Sequence, residues 1–122
     1  MIAYLTHDEV NAHVATRLAR RLRAELTVLP AKDADQLAAH VLLVDLDNLP
    51  REWRANLLAH AAHGPLPDGL AVHSYHLSDA EWRTLTAAGV RVTRRLNSAL
   101  LACVANSEPA ENVGGSSNRP AL

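Results

Sequence analysis

Lysine is almost absent from this chain: of its 12 basic residues only Lys32 is a lysine, and the rest are arginines. That excludes any active site needing a lysine in the last two thirds of the sequence. Cys103 is the single cysteine, so no internal disulfide can form. There is no phenylalanine and only 3% of residues are aromatic, so the core must be built from Leu, Val and Ala. No apolar run approaches the roughly 20 residues of a membrane-spanning helix. The start, Met1 to Leu5, lacks a basic segment followed by a long apolar stretch, so no signal peptide is expected. The expected compartment is therefore the cytoplasm. The net charge is −1, from 12 basic and 13 acidic residues, which predicts neither nucleic-acid binding nor attraction to an anionic membrane.

What is present is a regular alternation. A length of 122 residues and a 48% hydrophobic share suit one domain with one core. Ile2 to Leu5 predicts a first strand. Val10 to Leu26 predicts a helix, with Val14, Leu18, Leu22 and Leu26 recurring every four residues and Arg17, Arg20, Arg21 and Arg23 outside. Thr27 to Leu29 predicts a second strand stopped by Pro30, and Asp33 to Ala39 leaves room for a short helix only. Val41 to Val44 is an unbroken apolar run, as a central parallel strand buried on both faces requires. Arg51 to Ala62 predicts the next helix, and Leu70 to Ser74 a fourth strand.

Ser78 and Glu81 have capping-box spacing and open a helix that Gly89 is placed to end. Val90 to Thr93 predicts a fifth strand. Asn97 is the expected cap of a last helix, Ser98 to Ala105. From residue 107 the composition turns to Ser, Asn, Gly and Pro, and a disordered tail over 107–122 is expected after a domain of residues 1–106.

Five strands alternating with helices imply an α/β domain, a parallel sheet covered on both faces by helices in three layers. A doubly wound, flavodoxin-like order 2-1-3-4-5 with a shortened second helix is expected. In that order ligands meet the carboxyl ends of the strands. Those ends carry Thr6, His7 and Asp8, then Asp45 and Asp47, then Ser74, then Arg94 and Arg95.

In this order the motifs resemble the response-regulator receiver family of two-component signalling, over roughly residues 1 to 105 by element order and spacing. His7-Asp8-Glu9 stands where the family has its acidic pair. Val41 to Pro50 resembles the third strand with the phosphoacceptor aspartate, here Asp45. Ser74 matches the family's switch hydroxyl, and the family's lysine falls at Arg94 or Arg95. The departures matter. One acid of the pair is replaced by His7 or Thr6, and no lysine is available. Pro50 lies five positions after Asp45 and three after Asp47, where the family has four. The resemblance therefore implies a pseudo-receiver, an interaction domain acting without efficient aspartyl phosphorylation and binding magnesium weakly, if at all, at Asp8 and Asp45. It implies no enzyme activity and no other cofactor. Its partner is expected to be another signalling protein or a second copy, met through Trp82, Arg83, Arg91 and the last helix.

Two alternatives stand beside it. Asp45 is the acceptor of a phosphorylatable atypical receiver in one. In the other, Leu43 to Asn48 resembles the first motif of haloacid dehalogenase-type phosphatases, with Asp45 as nucleophile and Asp47 as general acid. Each residue also has a plainer role open to it. Asp45 suits a cap of the turn after its strand, Asp47 an Asx-turn before Pro50, Asp8 a helix N-terminus, and Arg94 and Arg95 a solvated surface. The paired histidines His60/His63 and His73/His76 do not have the convergence a zinc site needs. Trp53 and Trp82 are expected in the partial core, and Cys103 as a buried small hydrophobe.

Overall fold

The computed structural model describes residues 1–30, 41–66 and 68–107. Strands β1 (Ile2–Leu5), β2 (Leu26–Leu29), β3 (Val41–Asp45), β4 (Leu70–His73) and β5 (Arg91–Thr93) form one sheet in the order β2-β1-β3-β4-β5, every pair parallel. This is the expected flavodoxin-like doubly wound order. Among the described residues, the α-helices are α1 (Glu9–Arg21), α2 (Arg51–His63), α3 (Asp79–Ala87) and α4 (Leu96–Ser107). The short helix expected within Asp33–Ala39, and with it the shortened second helix, lies outside the described residues. So does the tail expected over 107–122, apart from Ser107, which ends α4. No helix among the described residues is long and apolar enough to cross a membrane.

The sheet separates two apolar layers. On one face Tyr4, Leu43 and Ala71 pack against Ala15 and Ala19 of α1 and Ala99, Leu100 and Cys103 of α4. On the other, Leu5, Val44 and Val72 pack against Leu57 and Ala61 of α2 and Leu85 of α3. The central strands are buried on both sides, which is why their sequences read as unbroken apolar runs.

Helix α1 differs from expectation in both length and facing. It stops at Arg21, and Leu26 opens β2. A period of four overshoots the helical 3.6 by roughly 40° per step, so the Val14, Leu18, Leu22 series winds around the helix instead of marking one face. Val10 and Val14 are exposed, and the face on the sheet is the small pair Ala15 and Ala19. The helix closes in a Schellman arrangement. Arg23 adopts φ 57°, its N–H reaches Arg20 O, and Ala24 N–H reaches Ala19 O at 2.9 Å. An arginine where glycine is usual gave no local sign of this stop.

The expected Ser78–Glu81 capping box opens α3, and Gly89 (φ 89°) follows its end. Helix α4 starts earlier than expected. Ala99 N–H already bonds Arg95 O, and Asn97 sits inside the first turn, where it accepts from Ser98 N–H. A 3-10 turn, Leu46–Asn48, follows β3 and was not foreseen. It sets the direction of Asp47.

Candidate functional site: the carboxyl edge of the sheet

Asp45 ends β3 beside His73 of β4, and the parallel register puts both side chains on the α1/α4 face. Asp45 is 1% exposed. Its Oδ2 accepts from Thr6 Oγ1 at 2.7 Å, Asn11 Nδ2 at 2.9 Å and Asn48 Nδ2 at 3.0 Å. Its Oδ1 accepts from Asn48 Nδ2 at 3.2 Å and lies 3.8 Å from His73 Nε2. A buried carboxylate needs such donors, since leaving its lone pairs dry is costly. Below it the Tyr4 hydroxyl pairs with His73 Nε2 at 2.7 Å. Burial pushes the His73 imidazole below the ordinary histidine range, and the Asp45 and Asp47 carboxylates oppose that shift in part. Burial, helped by Asp45, pushes the Tyr4 phenol upward.

Asp47 belongs to a second set. Its Oδ1 accepts from the Ser74 hydroxyl and its Oδ2 from Tyr75 N–H at 2.8 Å, while Arg54 lies 3.7 Å away. The Asx-turn expected before Pro50 is replaced by this reach to the loop after β4, because the 3-10 turn rotates Asp47 away from its own strand.

The remaining expected residues divide. Asp8 caps α1 through Val10 N–H, the plainer of its two readings, and its own N–H donates to Thr6 Oγ1. His7 is exposed, and its backbone N–H bonds Asn48 O. Arg94 lies over the half-buried Trp82 ring, 5.2 Å from its centroid, and Arg95 is exposed at the start of α4. Arg83 and Arg91 are exposed on α3 and β5. The structure thus joins Thr6 to Asp45 and Ser74 to Asp47, and leaves both arginines after β5 apart from either carboxylate among the interactions described.

Comparison with family models, with curated proteins and with solved structures finds no match.

The donor set does not fit a magnesium site. Magnesium takes hard oxygen ligands and several waters in a strict octahedron. Around Asp45 stand amide N–H₂ groups and a hydroxyl that donates, and Asp8 is occupied by a backbone N–H. Among the described residues no group of three or more His, Cys, Asp or Glu could hold a metal ion.

Asn11, Asn48, Tyr4, His73 and Arg54 are the site residues that sequence reasoning missed. Asn11 carries a faint signal, one turn into α1 beside the strand ends. Asn48 and Arg54 carry none, since polar residues in a turn and a helix's first turn are ordinary. Tyr4 reads as an apolar-strand member, and His73 is weighed in the sequence only as a metal-ligand pair with His76.

Proposed function

We propose that this domain is a protein-interaction module of receiver-like architecture that works without aspartyl phosphorylation. The observation that carries the reading is the state of Asp45: nearly fully buried, with both oxygens already accepting hydrogen bonds from Thr6, Asn11 and Asn48. A phosphoryl group on that carboxylate would add roughly −1.5 to −2 charges. It would need a cation to neutralise it and space to enter, and the residues around Asp45 supply neither. Arg94, the cation expected to approach, stacks on Trp82 instead. That stack, with exposed Arg83 and Arg91, forms the partner surface we infer on α3 and β5. A phosphatase reading gains no support, because Asp45 and Asp47 are held by separate donor sets.

The test is incubation with acetyl phosphate and magnesium, read by intact mass. No adduct is expected. A stoichiometric adduct that Asp45→Asn abolishes would restore the phosphorylatable receiver. In the same preparation, sedimentation velocity of wild type against an Arg83→Glu/Arg91→Glu variant reads self-association through the inferred surface. A second copy as partner predicts a loss of dimer in the variant, and a dimer unchanged by it would exclude this face.

A further inference from the structure

Two hydrogen-bond donors and a nearby guanidinium meet one carboxylate beside the end of β4. Ser74, fully buried, turns its hydroxyl to Asp47 Oδ1, and Tyr75 N–H reaches Oδ2 at 2.8 Å. The Arg54 guanidinium stands 3.7 Å from Oδ1. The ties continue along the loop. Ser74 Oγ accepts from His76 N–H at 3.1 Å. Arg54 donates to His76 O at 2.9 Å and to Glu81 Oε1 at 3.2 Å. The same Glu81 oxygen accepts from Ser78 N–H, closing the cap of α3. Each of Ser74, Tyr75, His76 and Ser78 is therefore tied, and Leu77 between them is buried. This density is unusual for a surface loop, which ordinarily moves on nanosecond to microsecond times.

A hydroxyl and a backbone N–H, one on each carboxylate oxygen, with a guanidinium alongside are groups that bind carboxylates and phosphates. The geometry points to a small-oxyanion site in the loop 74–78 whose resident anion is the protein's own Asp47, so that the loop is latched from within. Because Asp47 is tethered four residues before α2, its effective concentration is high, and free anions at millimolar levels do not displace it. The consequence is a permanently set surface. Tyr75, 60% exposed, is presented from a rigid loop as an aromatic anchor instead of being released and recaptured by a modification. This deepens the phosphorylation-independent reading and rests on it. The two fail separately, since an adduct on Asp45 sinks that reading while leaving the latch measurable.

The experiment is amide hydrogen exchange by NMR on the full chain, comparing wild type with Asp47→Gly. Exchange at Tyr75 and His76 is expected to rise at least tenfold, with Val72 in β4 unchanged. Sodium formate should then slow it again, and sodium chloride at equal ionic strength should not. Exchange within twofold of wild type, or equal effects of formate and chloride, would overturn the proposal. Should Asp47→Gly fail to fold, Arg54→Gln carries the test, because it leaves Asp47 and Ser74 in place. Tyr75 exchange should then rise a few-fold and lose its dependence on ionic strength, and an unchanged rate and salt dependence would refute the latch.

Discussion

Asp45 separates a structural from a chemical role most sharply, through two substitutions of different size. Asp45→Ala removes the acceptor of the hydrogen bonds from three side chains. Their losses are unequal. Asn48 is exposed and returns to water at little cost, Asn11 is half-buried, and Thr6 is 5% exposed. A hydrogen bond to a charged group contributes about 1.5–3 kcal/mol net, and a buried orphaned donor costs about 1–3 kcal/mol. Taking Thr6 in full and Asn11 in part, Asp45→Ala should destabilise by about 2–4 kcal/mol. Asp45→Asn keeps one oxygen where Thr6 and Asn11 donate and loses mainly the charge assistance, about 1 kcal/mol. Urea unfolding measures both, and an unchanged m-value would show that the two end states are comparable. The reasoning fails if Asp45→Ala is as stable as wild type or more so. That is the outcome for a carboxylate held under strain for chemistry, whose removal relieves the fold.

Two further outcomes follow from buried titratable groups. His73 has its folded pKa lowered from 6.5, so the unfolded chain binds the proton more tightly. Stability therefore falls as pH drops through about 6.5, with a slope from this group of at most about 1.4 kcal/mol per unit. His73→Gln should flatten the wild-type loss between neutral and mildly acid pH, and parallel profiles for the two proteins would exclude His73 as the cause. Burial pushes the Cys103 thiol up to about 11 despite the opposing Arg91. A disulfide reagent at pH 8 should label it only as fast as the native state opens, and rapid labelling of folded protein would contradict its packing between α4 and the sheet.

Strand order and helix placement were legible in the sequence because their signals are local. Unbroken apolar runs mark the central strands, buried on both faces, and five strands alternating with helical segments leave few topologies once crossovers are right-handed. Ser78 with Glu81 and the glycine at 89 announced both ends of α3, since caps are satisfied within a few residues. The end of α1 was not legible, because Arg23 takes a left-handed conformation that glycine usually marks, and the packing of Ala15 and Ala19 outweighed the four-residue leucine and valine series. The site was legible only as a set of polar residues at strand ends. Which of them meet was decided by tertiary structure. Asn11 reaches Asp45 across 34 positions and Thr6 across 39, and Asp47 pairs with Ser74 across 27. Nothing local selects those partners. The register of β1, β3 and β4 and the unforeseen 3-10 turn bring the groups together, and a buried carboxylate then takes whichever donors the sheet edge delivers to it, because leaving it dry would cost more than the fold has to spare.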